Sequence, residues 1–527
     1  MHRPLLAVVV ASVALAAVAC IAERGPLTNR MAHSATNYLA RAARQPVKWQ
    51  QWGRDAFVLA TKLDRPVLLY VGGDACRWCA ETDRAIYTDP EIGTLINALF
   101  VPVRVDRDER PDVAQRYQTA VERLAGLHGW PLTVFLTVDG APFFGGTYFP
   151  ADDPVTGRGL KQLLPEIARS YHDQRSEVVQ RAALVRQLML TANGASRGVL
   201  RSGLIAAAIA ELRGELDGAI RSHALAGSVT QVAAVSLLLT EFARTRDSLS
   251  LAVARRALYL MLDTVAVNGG DDPPRLVRAA LAGVLAQAWV VTGEERYRES
   301  GRAAVRAVAH DLRWGSAQRE SGDDRAVFVD QEAYVIEAAL LAGATLGENG
   351  VEERAQAALD GLLRRAYAHG WGVRHTVGGF PGTVATSAHG LLQDQVQVAS
   401  GCLAAHQLTG ERRYLDVAID LITQIDRSYA DSLGGYYDTA APAPPATAPD
   451  VATPALADRT KHAFDDILPG PNAVAARVLA RLAEVTGDAS YRRRAEATLE
   501  AFAGGILTSG LRAATFLSAA RETVANP

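Results

Sequence analysis

The stretch PVLLYVGGDACRWCAETD, residues 66–83, decides the fold of the first part of this chain. PVLLYV (66–71) is an apolar, β-branched run bounded by Pro66 and by Gly72-Gly73, and it reads as a buried strand. The C-x-x-C pair Cys76 and Cys79 follows at once, where a strand hands over to a helix. A sulfur at a helix N-terminus meets unpaired backbone N–H groups and the positive end of the helix dipole, which favour a thiolate. Cys76 is therefore expected to be the attacking sulfur and Cys79, one turn on, the resolving thiol. Arg77 adds positive charge beside Cys76 and is expected to lower its pKa. Trp78 is an aromatic suited to packing or to facing a substrate.

Working outward, LFVPVRV (99–105) predicts a second strand and Pro111 opens a helix to about Leu127. PLTVFLT (131–137) predicts a third strand. Asp139-Gly140 turns the chain into PFFGGTYF (142–149), and a helix follows from about Leu160. The order β, C-x-x-C, α, β, α, Pro, β, β, α is that of a thioredoxin fold. In this topology Pro131 is expected to be cis, to face the C-x-x-C turn and, with Trp130, to dock a substrate backbone. Two other uses of the cysteines stay open. A zinc site needs four ligands, and no second C-x-x-C exists, although His128 could contribute one. A passive structural disulfide suits an oxidising compartment. No cofactor and no metal are expected. The alternating charges of VDRDERPD (105–112) read as a salt-bridged loop after a strand, of structural use or shaping the redox site.

Six stretches carry a family resemblance: NRMAHSATNYL (29–39), QPVKWQQWGRDAF (45–57), CRWC (76–79), VDRDERPD (105–112), GWPLTVFLT (129–137) and FFGGTYFP (143–150). In this order they resemble the thioredoxin-like domain of unknown function 255, found in the spermatogenesis-associated protein 20 family. The resemblance implies a thioredoxin fold. It departs from the family pattern at Arg77 and Ala80, where histidines usually stand.

The composition bounds the rest. The 527 residues are 49% apolar and 21% charged, as a packed globular chain requires. With 55 Lys+Arg against 57 Asp+Glu the net charge is −2, which argues against a nucleic-acid partner. Four cysteines cannot staple a chain of this length. Residues 5–21, LLAVVVASVALAAVACI, are uncharged and suit an export signal or membrane anchor over 1–22, and small residues before Cys20 make that cysteine a lipidation candidate. The expected location is extracytoplasmic.

Beyond a first domain over 29–175, residues 200–520 are Ala- and Leu-rich with helical periodicity. Turns starting at TRDSLS (245), TGEERY (292), LGENGV (346), TGERRY (409) and TGDASY (486) repeat. Each follows an apolar helix and opens another, with Gly stopping the first in four of the five. Tyr297, Tyr414 and Tyr491 recur four positions after Gly and are expected between neighbouring hairpins. Five pairs plus one expected before residue 245 predict an (α/α)₆ toroid. APAPPATAPDVATPA is a Pro/Ala-rich surface excursion. The family carries such a toroid, similar to six-hairpin glycosidases and sugar epimerases; GGYYDT (434–439) and PGPNAVAA (469–476) look like its late motifs, while the His and Glu of its earlier motif are absent near 268–290. Asp330, Glu332, Asp394, Asp465 and Asp466 are cavity candidates, although acidic residues at helix starts are commonly caps. His375, His389 and His462 carry no informative spacing, and Cys402 reads as a core thiol.

The fold class is thus α/β plus all-α, a thioredoxin-like domain followed by a toroid. The preferred reading is an exported thiol–disulfide oxidoreductase. It would act on a protein thiol or disulfide, with a membrane redox partner, and the toroid would be a docking module. The second reading is a glycan-processing or glycan-binding toroid with an accessory thioredoxin domain.

Overall fold

A computed structural model describes residues 27–153, 159–191, 197–225, 227–267, 273–314, 326–378, 390–441 and 458–524. These residues fall into two compact units that divide between Met189 and Leu190, with Asp458 assigned to the first.

The first unit is built on a five-stranded sheet. Its elements are α1 (Asn37–Arg41), β1 (Gln50–Gln51), α2 (Arg54–Leu63), β2 (Val67–Gly72), α3 (Arg77–Thr82), α4 (Pro90–Leu99), β3 (Val101–Asp106), α5 (Pro111–Ala125), β4 (Leu132–Leu136), β5 (Pro142–Gly146), α6 (Leu160–Asp173) and α7 (Arg175–Thr191). The strand order is β1-β3-β2-β4-β5. β3 runs parallel to β1 and β2, β4 runs antiparallel to β2, and β5 runs antiparallel to β4. The expected strands and helices are all present. α1, β1, α2, α4 and α7 are additions to the expected order.

Alternation along the strands sorts the side chains into two cores. Val67, Leu69 and Val71 of β2 and Val101, Val103 and Val105 of β3 pack on one face with Phe57 of α2 and Tyr117 of α5. Leu68 and Tyr70 turn to the other face, with Tyr38, Trp49, Tyr87, Ile96 and Leu164. Arg104 lies between two valines of the first set, so the pleat sends it to the second face. There it is 1% exposed.

The second unit is a ring. Its helices are α8 (Ser202–Arg221), α9 (Val229–Thr245), α10 (Ser248–Val267), α11 (Arg275–Thr292), α12 (Glu295–Asp311), α13 (Val329–Leu346), α14 (Val351–Ala366), α15 (Leu392–Thr409), α16 (Arg412–Ser428), α17 (Pro471–Thr486), α18 (Ala489–Glu500) and α19 (Ala514–Thr523). Short strands β6 (Val327–Phe328), β7 (Tyr367–Ala368), β8 (Gly372–Val373) and β9 (Thr376–Val377) lie in the connections. Helices α9, α11, α13, α15, α17 and α19 each pack on the next, and α19 packs back on α9, so the inner ring closes. Five outer helices pair with the inner helix that precedes them in sequence.

The sixth pair differs from the expected hairpin before residue 245. Its outer member, α8, precedes the repeats, and its inner member is the C-terminal α19, against which α8 packs. At the five repeat turns the residue after the inner helix is left-handed: Arg246 (φ 60°), Gly293 (71°), Gly347 (67°), Gly410 (72°) and Gly487 (75°). Tyr414 is buried and its hydroxyl donates to Asp360 of α14 (2.9 Å), tying one hairpin to the previous one. Tyr297 is buried too, and Tyr491 is half-buried.

Polar contacts cross the inner ring. Ser236 donates to Gln287 (2.6 Å) and Ser400 to Glu337 (2.7 Å). Arg481 of α17 reaches Glu337 of α13 (3.4 Å), past the intervening α15, so both face the ring axis. Arg521 of α19 pairs with Glu241 of α9 through two bonds of 2.9 and 3.1 Å.

Candidate functional site

Cys76 and Cys79 form a disulfide at the start of α3. Cys76 is the N-cap, and its sulfur accepts the Cys79 backbone N–H at 3.1 Å. The third unpaired N–H of the helix is thereby aimed at the sulfur that exchange would make anionic. Cys76 is 8% exposed and Cys79 is 0% exposed, so an incoming thiol reaches Cys76 alone. Arg77 and Trp78 are exposed beside it, and Trp78 lies 6.2 Å from the Tyr148 ring.

The Trp130–Pro131 peptide is cis. Val71 of β2 pairs with Leu132 of β4, which carries Pro131 to the end of the sheet where the C-x-x-C turn departs. Trp130 is half-buried, and the Arg107 guanidinium sits 5.4 Å from its ring centroid. Arg107 also donates its backbone N–H to Gly72 (2.7 Å). The loop after β3 therefore borders the site.

That loop differs from the expected exposed ion-pair loop. Asp106, Arg107, Glu109 and Asp112 are each under 9% exposed. Burial, and then the Asp108 carboxylate, push the Asp106 carboxyl up to about 8, against a bond from Thr36. Burial also acts to raise Asp112. Arg110, at 2.8 and 2.6 Å, outweighs it and holds that carboxyl at about 2.

Beneath Cys79 lies a cluster that no local motif announced. Arg104 pairs with Asp83 through two bonds of 2.7 and 2.6 Å. The same guanidinium sits 4.2 Å from the Tyr38 ring centroid and 5.0 Å from that of Tyr70. The Tyr70 hydroxyl donates to the Cys79 carbonyl at 3.4 Å. The one usable sequence signal was the family-like stretch 29–39, which contains Tyr38.

In the ring unit the structure brings Asp330, His375 and Asp394 together, with one ligand atom of each within 4.8 Å of the others, all buried. A cation could be held by such a set. Asp394 instead accepts from Leu391 N (2.6 Å) and Asp330 N (3.2 Å) and is bonded to His375 Nδ1 (2.9 Å), so it works as a helix cap. Glu332 lies apart, paired with Arg275 (2.7 Å) and accepting from Arg313 N (3.0 Å). Asp465 accepts from Gly470 N and Thr515 N, each at 2.9 Å, and burial pushes it up to about 6. Asp466 is half-buried, and its carbonyl accepts from Thr230 (3.0 Å). His462 bonds to Asp438. Asn472 joins GGYYDT to PGPNAVAA, accepting from Tyr436 N (2.7 Å) and donating to Tyr436 O (2.9 Å). Cys402 is a buried free thiol whose pKa burial raises strongly. Cys20 and His389 lie outside the described residues.

Residues 28–189 match the family model described as protein of unknown function, DUF255. The chain is 37% identical over 170 residues to spermatogenesis-associated protein 20 of Homo sapiens, covering 32% of this chain and 22% of that protein. It is 35% identical over 176 residues to an uncharacterised protein of Caenorhabditis elegans, covering 33% and 24%. The match thus spans less than a quarter of the length of these curated relatives. Among solved structures the chain is similar to an unsaturated glucuronyl hydrolase from Bacillus sp. GL1, at 15% identity and TM-score 0.40, covering 53% of this chain and 75% of that one. It is also similar to an inactive variant of an α-1,6-mannanase of Salegentibacter sp. HEL1_6, at 13% identity and TM-score 0.41, covering 56% and 88%. The ring assignment stands on the closed order of its own inner helices.

Proposed function

We propose that this chain is an exported thiol–disulfide oxidoreductase. The observation that carries the reading is the asymmetric pair at the start of α3, with Cys76 retaining 8% exposure and Cys79 sealed beneath it. Cys76 is the sulfur attacked or attacking, Cys79 resolves the mixed disulfide, and Trp78, Trp130 and Pro131 dock the substrate chain. Arg77 favours the Cys76 thiolate. The substrate is a protein dithiol or disulfide outside the cytoplasm, exchanging electrons with a membrane partner. The N-terminal apolar segment supports export, and Cys20 is the place for a lipid tether.

The ring is assigned a docking or binding role. A glycan-processing ring works with two carboxylates facing one cavity. Here Glu332, Asp394 and Asp465 are buried on Arg275 and on backbone N–H groups, a use that favours docking.

A redox titration of the chain tests the reading, with alkylation and mass spectrometry reporting Cys76 and Cys79. The expected result is a reversible two-electron couple between about −120 and −300 mV, the span of known dithiol proteins, with Cys76 alkylating first. A pair that stays oxidised or stays reduced across that window overturns it.

A further inference from the structure

Reduction of the Cys76–Cys79 disulfide poses a problem that the site must solve. A substrate thiolate attacks Cys76 Sγ and forms a new S–S bond to it. The Cys76–Cys79 bond breaks, and its electron pair leaves on Cys79 Sγ. That sulfur is 0% exposed, so water cannot solvate the charge. A second substrate sulfur then displaces Cys76, and the dithiol substrate ends as a disulfide.

Tyr38 stands where a donor is needed. Its hydroxyl is buried and donates to no acceptor, and the Tyr70 hydroxyl acts on its oxygen. The neighbouring Tyr70 hydroxyl gives its hydrogen to the Cys79 carbonyl, so it does not serve the sulfur. Gly72 lies between Tyr38 and Cys79. A methyl group built on Gly72 would stand 2.2 Å from the Tyr38 oxygen and 3.1 Å from Cys79 Sγ. Oxygen and sulfur are therefore no farther apart than those two distances laid end to end. The absent side chain at Gly72 keeps the line between them open. Buried donors without acceptors are rare in folded proteins, and one beside a latent anion has a use.

We propose that the Tyr38 hydroxyl is the hydrogen-bond donor that receives Cys79 when it leaves as a thiolate. The proposal rests on the thiol–disulfide reading above. Arg104, 4.2 Å over the Tyr38 ring and anchored by Asp83, holds the ring in place and adds positive charge behind it. Burial raises the Tyr38 pKa far above that of a thiol, with Arg104 opposing. Tyr38 therefore lends its hydrogen to the sulfur and keeps its proton.

The test uses the full chain and three measurements. After chemical reduction, the alkylation rate of the Cys79 peptide is followed against pH by mass spectrometry, in wild type, Tyr38→Phe and Tyr70→Phe. Charge-assisted hydrogen bonds are the strong ones, so Tyr38→Phe is expected to leave about tenfold less Cys79 thiolate at a given pH. In glutathione buffers the same tenfold change lowers the reduction potential by about 30 mV for a two-electron couple. Tyr70→Phe is expected to change neither. In wild type alone, the Raman tyrosine doublet should move toward a strong donor on reduction, which needs no variant to fold. An unchanged Cys79 profile in folded Tyr38→Phe, an equal shift in Tyr70→Phe, or an unmoved doublet overturns the proposal. Failure of the pair to exchange with glutathione sinks the oxidoreductase reading instead, and the Cys79 profile still decides for or against the hydrogen bond.

Discussion

Asp106 shows how burial at one residue becomes a property of the whole fold. Its carboxyl is 3% exposed and titrates near 8, above an unfolded value of about 3.9. Between those values the folded chain holds a proton that the unfolded chain has lost. This contribution is present in full below about pH 4 and is lost as pH rises toward 8, at up to about 1.4 kcal/mol per pH unit. Asp106→Asn is expected to flatten the fall in stability across that window, read by urea unfolding of the first unit at several pH values. An unchanged slope would refute the assignment. Asp112 has the opposite sign. Its carboxyl is held at about 2, so its contribution is present above about pH 4 and is lost as pH falls toward 2.

At the scale of the element, the turns between ring helices carry one testable irregularity. Four of the five left-handed caps are glycine, and the fifth is Arg246 at φ 60°. A side chain in that conformation costs about 1 kcal/mol, which glycine avoids. Arg246→Gly is expected to stabilise the ring by about that amount in thermal or urea unfolding, and no gain would show that Arg246 makes compensating contacts. The four glycines made the repeat legible in the sequence. The strands were legible for a similar reason, since runs such as Val67–Gly72 carry their own pattern. The C-x-x-C turn was equally local. What stayed illegible was long-range. Arg104 reads as one polar residue in a strand, and only the folded sheet reveals Tyr38 and Asp83 as its neighbours. VDRDERPD looked solvated because its charges alternate, yet Arg110–Asp112 and Arg107–Trp130 satisfy those charges inside. The ring acids were legible as helix-start residues, and the backbone N–H groups they cap were not.

For the ring unit as a whole, closure depends on helices far apart in sequence. Glu241 of α9 and Arg521 of α19 are 7% and 11% exposed and paired at 2.9 Å. Removing one partner of a buried pair leaves an uncompensated charge and costs about 3 kcal/mol. Glu241→Ala is expected to lower the stability of the ring by that amount, and adding Arg521→Ala should cost little more, because the stranded charge goes with it. A full second loss on the double variant would show that the pair does not act as a unit. The same closure shapes synthesis. While the ribosome is still making residues before α19, α9 has already emerged with one flank bare and Glu241 paired only with Arg244 of its own helix, and α8 rests on α9 without the inner helix of its own pair. The nascent ring is an open crescent whose apolar edge waits for the last helix, so a chaperone that shields such edges has its natural target there. A circularly permuted gene that begins at the α10–α11 connection would place α19 and α9 in the middle of the chain and shift that vulnerable edge to a different seam.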